Sequence, residues 1–273
     1  MRSYVDVSGV FVIKKIYTAF EDKFDKDFYF GGEQHNFWEF VTVLEGEIGV
    51  TAGSDVFQLK KGQAVIHEPM EFHRIWSEGN TCPTVIIFSF AAENMPPFTS
   101  KIFEIADLME PKIILDDILH AFLVEGFKPI DINLEFGVDY QLAVKKLEMY
   151  IIRAVSQKVG SVSVVKSKGA ENYAAIINAM ENNIDKNLSV ADIAKICSMS
   201  EINLKKTFSK YSGMGVMKYF NTLKVTAAKE MIKRGVQVSE AASKLGFENQ
   251  NYFSTVFRRI SGKPPSYYKQ WGD

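Results

Sequence analysis

The chain has 273 residues, of which 47% are hydrophobic and 24% charged, and its formal net charge is −1. This apolar share excludes a wholly disordered chain, and the length suffices for one large domain or two ordinary ones. The two cysteines, Cys82 and Cys197, are too few for a disulfide framework or a cysteine-rich zinc site, so we expect both to be small buried residues of a reduced protein.

The charge is unevenly distributed along the chain. Residues 1–170 contain 17 Lys and Arg against 24 Asp and Glu, whereas residues 171–273 contain 15 against 9. Balances of −7 and +6 favour an acidic half with a regulatory or catalytic role and a basic half that contacts a polyanion. The N-terminus lacks a signal-peptide pattern, and the most apolar run, residues 85–92, is too short to cross a bilayer. We therefore expect a cytoplasmic protein without a membrane segment.

The first ~95 residues predict short β-strands. Residues 37–44 are rich in aromatic and β-branched side chains, which favour strands. Turn residues separate this run from further apolar runs at 48–51, 56–59, 64–67, 72–77 and 83–90. Short strands with turns at this spacing indicate an antiparallel sandwich or barrel.

The pattern becomes helical after Pro97, with helices predicted at 99–109, 114–124 and 139–158. In the last helix, a near-helical spacing gives one apolar stripe, which must be buried either on the barrel or on a second copy of itself. The stripe consists of Leu142, Leu147, Ile151, Ala154 and Val155. The small and polar residues 161–170 predict a linker between an N-terminal domain, 1–160, and a helical domain, 171–273.

The helical region contains a weak internal repeat, because residues 190–194 match residues 238–242 at an offset of 48. Each unit predicts a short helix, a tight turn and a second helix that ends at glycine. Ser189 with Asp192 predicts a capping box, whereas Ser200 and Asn249 are the expected N-caps of the two second helices. Gly246 is the expected turn residue of the second unit.

A helix–turn–helix places its second helix in the major groove of DNA. The expected buried stripes are Leu204, Phe208 and Tyr211 in the first unit, and Phe253, Val256, Phe257 and Ile260 in the second. The residues left on the outer surface are mostly of types that pair with base edges and phosphates. They are Ile202, Asn203, Lys205, Lys206, Lys210, Gln250, Asn251, Ser254, Thr255 and Arg258.

Three motifs follow one another in the second unit: residues 242–247 read A-x-x-x-G-F, residues 252–258 read Y-F-x-x-x-F-[KR], and residues 262–268 read G-x-x-P-x-x-Y. On these motifs, residues 171–273 resemble the AraC/XylS family of transcription regulators. The resemblance implies two helix–turn–helix units joined by a long helix at about 216–234. It also implies that Ile202, Lys205, Lys206, Gln250, Asn251 and Thr255 face the bases.

Two positions depart from that family. Its members commonly have arginine where this chain has Lys224, so we expect one backbone contact to be weaker, because lysine keeps the charge and loses bidentate geometry. Ser198 lies in the turn of the first unit, where a residue that tolerates positive φ would be easier.

The N-terminal half resembles a cupin barrel, the common sensor domain of the same family, through a set of residues spaced along the predicted strands. They are His35, Phe37, Trp38, Glu39, Gly46, Gly62, Pro69 and His73. The resemblance implies an effector pocket formed by His35, Phe37, Glu39 and His73. Metal-binding cupins use an H-x-H motif, and Phe37 stands at its second position. The remaining His35, Glu39 and His73 are the candidate ligands for a metal on one face of the barrel, but we expect neither a metal nor a cofactor. His67 and His120 are interpreted as incidental.

Together, these features predict an α+β protein: an antiparallel cupin-like barrel with flanking helices, followed by an all-α domain with two helix–turn–helix units. The expected function is a sequence-specific transcription regulator, an activator by resemblance and not an enzyme, controlled by a small molecule or partner at the N-terminal domain. Its expected partners are double-stranded DNA, a second copy through helix 139–158, and RNA polymerase. The alternative is a metal-dependent cupin enzyme whose helical tail assembles oligomers.

Overall fold

The computed structural model describes residues 9–125, 135–156 and 167–269. The chain divides near residue 164 into two units. Within the described ranges, no helix has both the length and the apolar composition needed to cross a membrane.

The first unit is built on two β-sheets. Its strands are β1 (Val12–Lys23), β2 (Trp38–Glu45), β3 (Glu47–Ala52), β4 (Asp55–Lys60), β5 (Gln63–His67), β6 (His73–Glu78), β7 (Thr84–Glu93) and β8 (Ile102–Glu104). The larger sheet has the order β1-β7-β2-β5-β8, and the smaller one has the order β4-β3-β6. The pairings β1–β7, β2–β7, β2–β5, β5–β8 and β3–β6 are antiparallel. The predicted antiparallel fold class is therefore confirmed.

Alternation along β2 separates two apolar cores. Phe40 and Leu44 belong to the core under the helices, whereas Val41 and Val43 belong to the core that includes residues of both sheets. Successive side chains of a strand point to opposite faces, so Glu39 lies on the same side as Val41. The alternation along β2 therefore places the carboxylate of Glu39 in the interior between the sheets.

Two helices, α1 (Met109–Glu125) and α2 (Glu135–Val155), cover the outer face of the larger sheet. In α2, Leu147, Ile151, Ala154 and Val155 are buried in the same core as Phe40. The predicted stripe therefore packs within its own unit, except for Leu142, which is 54% exposed. The expectation that this stripe pairs two copies of the chain is wrong, because the sheet already covers it.

Two expectations need correction, and one strand was not expected. The helix predicted at 99–109 is wrong, because Ile102–Glu104 forms β8 and pairs with β5. The burial of the cysteines is also wrong: Cys82 is exposed and Cys197 is only partly buried. The long edge strand β1 was not predicted separately, because most of its side chains are exposed and charged residues interrupt its apolar positions.

The second unit is helical. Its elements are α3 (Lys168–Glu181), α4 (Val190–Ile196), α5 (Glu201–Ser212), α6 (Val216–Lys233), α7 (Val238–Lys244), α8 (Gln250–Ser261) and a 3-10 helix, Pro265–Lys269. The capping box of Ser189 and Asp192 and the caps Ser200 and Asn249 are confirmed. The predicted linker is partly wrong, because Ser167 caps α3, which begins at Lys168; residues 161–166 lie outside the described ranges.

Candidate nucleic-acid interface and effector pocket

Helix α5 is held by one apolar face. Leu204, Phe208 and Tyr211 are buried, as the spacing predicted. The Tyr173 ring of α3 lies 5.8 Å from the ring of Phe208 and 5.5 Å from that of Tyr211. At the N-terminus, the Ser200 hydroxyl accepts a hydrogen bond from the Asn203 amide. These contacts fix which side of α5 faces away from the unit.

The opposite side of α5 carries all five residues expected at DNA. Ile202, Asn203, Lys205, Lys206 and Lys210 are exposed. Ile202 is 80% exposed, so it does not belong to the core of this unit. Lys205 Nζ lies 3.2 Å from Glu201 Oε2 on the previous turn, which offsets part of its charge. The result is a basic surface with one apolar side chain near the start of the helix.

Helix α8 repeats this arrangement. Phe253, Val256 and Phe257 are buried, while Ile260 is half-buried. The Asn249 side chain accepts hydrogen bonds from the amides of Asn251 and Tyr252, at 2.8 and 3.0 Å. The strongly one-sided burial leaves a continuous polar surface on the other side of the helix.

That polar surface contains the five residues expected at DNA in the second unit. Gln250, Asn251, Thr255 and Arg258 are exposed and Ser254 is half-buried. The structure adds Tyr252, which is 57% exposed beside them. Sequence reasoning missed it because the residue also belongs to the Y-F motif, where an aromatic side chain suggests burial. An open hollow at the C-terminal half of α8 is lined by Ser254, Thr255, Arg258, Arg259, Gly262 and Pro264.

In the first unit, a cavity of about 280 Å³ opens between the strands. Phe37, Glu39 and His73, three of the four expected pocket residues, line it. The fourth, His35, stacks on Phe37 with ring centroids 3.7 Å apart. The structure thus brings His73 to His35, Phe37 and Glu39, which are close together in the sequence.

The polar end of the cavity is organised around Glu39. Its Oε1 lies 3.3 Å from His73 Nε2, and its Oε2 accepts a hydrogen bond from the Ser89 hydroxyl at 3.1 Å. Burial alone would lower the pKa of His73, but the carboxylates of Glu33 and Glu39 raise it to about 9. Burial would raise the pKa of Glu39, but His35 and His73 hold it well below its usual value. Glu39 and His73 therefore form an ion pair at neutral pH.

The interpretation of His67 as incidental is wrong. Its ring stacks on that of His73 with centroids 4.1 Å apart, and it lines the same cavity. Burial lowers the pKa of His67 to about 4, so this ring is neutral at neutral pH. The register of β2 with β5, in which Glu39 is opposite His67, places it there. The antiparallel pairing, which the sequence does not specify residue by residue, was the missing signal.

The same region offers a donor set for a metal ion. Glu33, His35, Glu39 and His73 each present one ligand atom, and these atoms lie within 4.8 Å of one another. The Nδ1 atoms of His35 and His73 lie 2.9 and 3.1 Å from backbone carbonyl oxygens, so each Nε2 is turned toward the carboxylates. Imidazole and carboxylate ligands with carbonyl-bound Nδ1–H groups suit a divalent cation. Sequence reasoning missed Glu33, which stands two residues before His35 and reaches the site because its backbone pairs with that of His73.

Comparison with known proteins agrees with the division of the chain into two units. Residues 26–90 match the cupin domain, and residues 193–270 match a helix-turn-helix domain. The HTH-type transcriptional activator RhaR of Yersinia pseudotuberculosis (strain IP 31758) is 30% identical over 101 residues, which are 37% of this chain and 35% of the relative. The RhaR protein of Cronobacter sakazakii is 29% identical over 104 residues, 37% of each chain. The chain thus matches little more than a third of the length of these relatives.

Among solved structures, ToxT from Vibrio cholerae O395 is similar at 14% identity and a TM-score of 0.37, over 93% of this chain and 96% of that one. The matches to the cupin and helix-turn-helix domains fall on the two halves that the sequence motifs indicated.

Proposed function

We propose that this chain, which combines a cupin domain with a helix–turn–helix domain of the AraC type, is a sequence-specific DNA-binding transcription regulator controlled by a small molecule. The observation that carries the proposal is the repeated helix–turn–helix, in which α5 and α8 each present an exposed polar side. Each of these helices is capped at its N-terminus by a side chain and held by a buried aromatic stripe.

In this proposal α5 and α8 enter successive major grooves. Lys206 and Gln250 lie in the first two turns of their helices and contact base edges, since N-terminal residues of a recognition helix reach the bases. Ile202 contacts a thymine methyl group, the base feature that suits an apolar side chain. Arg258 and Arg259, in the last turn of α8, contact phosphates.

The domain roles follow from the same argument. Residues 1–160 sense the effector and dimerise, and residues 171–273 together with the start of α3 bind DNA. Dimerisation through helix 139–158 uses the outer side of α2, where Val138, Leu142 and Met149 are 51, 54 and 56% exposed. Activation of transcription is supported by relatives described as activators. A contact to RNA polymerase is part of the same proposal. These relatives are bacterial proteins, so the proposed location is the cytoplasm, where bacterial DNA lies.

The experiment is hydroxyl-radical footprinting of the full chain on DNA from upstream of its own gene. We expect each monomer to protect two regions about 10 base pairs apart, since successive major grooves are one helical turn apart. The double variant Lys206→Ala/Gln250→Ala removes this protection, whereas Lys233→Ala, an exposed lysine of α6 outside the proposed interface, retains it. Protection of one groove for each monomer contradicts the proposed arrangement.

The second candidate is a metal-dependent cupin enzyme whose helices serve only assembly. The donor set of Glu33, His35, Glu39 and His73 favours it. Metal analysis of the purified protein, in parallel with DNA binding, separates the two. One metal ion for each chain together with no DNA binding in any upstream fragment would support the enzyme.

A further inference from the structure

The cavity of the first unit has an apolar wall made largely of one residue type. Of the fifteen described residues that line it, eight are hydrophobic, and five of these are phenylalanines. They are Phe20, Phe24, Phe28, Phe30 and Phe37. Phe24 and Phe28 stack with centroids 3.9 Å apart. A wall of this kind covers an apolar ligand body and offers no hydrogen-bonding atoms to the hydroxyl groups of a sugar.

The polar lining of the cavity is acidic. Asp22, Glu33 and Glu39 contribute carboxylates, and His67 and His73 are the basic side chains. Among the residues that the structure describes, neither lysine nor arginine lines the cavity. Even with a positive charge on both histidines, the three carboxylates outnumber them. The net charge of the lining is therefore negative, which repels a carboxylate or phosphate ligand.

One carboxylate at the polar end is left to meet a ligand. Glu39 already faces His73 Nε2 at 3.3 Å and accepts a hydrogen bond from the Ser89 hydroxyl. Glu33 has a half-exposed side chain, and its Oε1 lies 3.8 Å from His73 Nε2, too far for a hydrogen bond. The Glu33 carboxylate beside an apolar wall therefore favours a ligand group that donates hydrogen bonds and carries a positive charge.

We propose that the cavity binds a small organic cation, a molecule with an aromatic or alkyl body and a protonated amine. The inference rests on the proposed function, because it names the class of effector that the regulator senses. The faces of aromatic rings attract a cation, and carboxylates complete its recognition by charge-assisted hydrogen bonds. The volume of about 280 Å³ lies at the small end of ligand pockets, which limits the body to about one ring.

The test is isothermal titration of the full chain with 2-phenylethylamine, and with 2-phenylethanol and phenylacetate as neutral and anionic compounds of similar size. We expect the amine to bind at least tenfold more tightly than the alcohol, and phenylacetate to bind most weakly. Glu33→Gln should remove most of the preference for the amine. Phe20→Ala, at a partly exposed position of the wall, should weaken the amine and the alcohol alike. The control is Glu45→Gln, which changes an exposed carboxylate at the end of β2 and should alter the affinity for neither the amine nor the alcohol.

Equal or tighter binding of the alcohol or of phenylacetate overturns the proposal, and so does the absence of binding by all three compounds. Tight binding of zinc chloride that Glu33→Gln abolishes, with no amine binding, overturns it in favour of a metal site. DNA binding is measured on the same protein without added ligand. If the protein binds DNA but not the amine, the proposed class of ligand is rejected and the proposed function is not. If it binds the amine but not DNA, the proposed function as a DNA-binding regulator is rejected.

Discussion

The ammonium nitrogen of Lys224 lies 2.6 Å from the carbonyl oxygen of Lys186. A second hydrogen bond, of 2.7 Å, goes to the carbonyl oxygen of Leu245, and the residue is only 3% exposed. Lys224 lies on α6, Lys186 lies in the loop before α4, and Leu245 ends α7. One buried side chain from the joining helix therefore links segments of both helix–turn–helix units.

Replacement of Lys224 by methionine should destabilise the helical unit by about 2–4 kcal/mol, because two buried carbonyl groups lose their donor. Lys224→Arg keeps donors at this position and should stay within about 1 kcal/mol of the parent. Urea unfolding followed by circular dichroism at 222 nm measures both. Equal losses in the two variants would show that packing, rather than hydrogen bonding, sets the stability here.

The turns of the two units adopt the same backbone shape with different residues. Ser198 has φ 54°, and Gly246, its equivalent at the offset of 48, has φ 70°. Ser198→Gly should stabilise the protein by at most about 1 kcal/mol, since it removes a left-handed strain at an exposed position. Gly246→Ser should cost more than about 2 kcal/mol, because a Cβ there would lie 2.5 Å from the Asp185 carbonyl oxygen. Thermal unfolding of both variants tests this, and equal effects of opposite sign would contradict it.

Residues proposed to contact base edges and residues proposed to contact phosphates should differ in how their substitution affects DNA binding. Lys206→Ala or Gln250→Ala should cost about 1–3 kcal/mol and relax the preference at one position of the site. Arg258→Ala should weaken binding to all operator sequences alike. It should also lower the slope of the logarithm of the binding constant against the logarithm of the salt concentration by about one. The measurement is binding to a library of single-base operator variants at two salt concentrations. If Arg258→Ala changes the preferred base while Gln250→Ala does not, the docking of α8 is wrong.

Two leucines of α2 should respond differently to substitution. Leu142→Glu, at an exposed position, should dissociate a dimer and leave the fold intact. Leu147→Ala should instead destabilise the first unit by about 2–5 kcal/mol, because Leu147 is fully buried in its core. Sedimentation and thermal unfolding distinguish these effects. A dimer that survives Leu142→Glu would exclude this side of α2 as the interface.

The stability of the first unit should fall as the pH rises from about 6.5 through 9. The pKa of His73 is raised from 6.5 to about 9, so its stabilising charge is fully present below 6.5 and lost across this interval. Urea unfolding followed by tryptophan fluorescence measures this, since Trp38 and Trp76 lie in the first unit. In His73→Gln the decline should be much smaller. An unchanged decline in that variant would assign it to other groups.

Local patterns in the sequence predicted the helical half closely. The caps at Ser189, Ser200 and Asn249, the stripe from Leu204 to Tyr211 and the turn at Gly246 all depend on residues within one or two turns of each other. The family motifs lie in the same region. Such short-range signals can be read from the chain because a helix forms its hydrogen bonds and its faces within itself.

The pocket and the packing of α2 were decided by tertiary structure. His67 meets His73 because β5 pairs with β2 and the two sheets face each other, and Glu33 joins them through a bridge to His73. The apolar stripe of α2 was equally compatible with a partner chain, and only its packing on the sheet showed that Leu147 is internal. Contacts between distant segments depend on strand register and on which surface covers another, and apolar periodicity specifies that a face is buried without specifying what buries it.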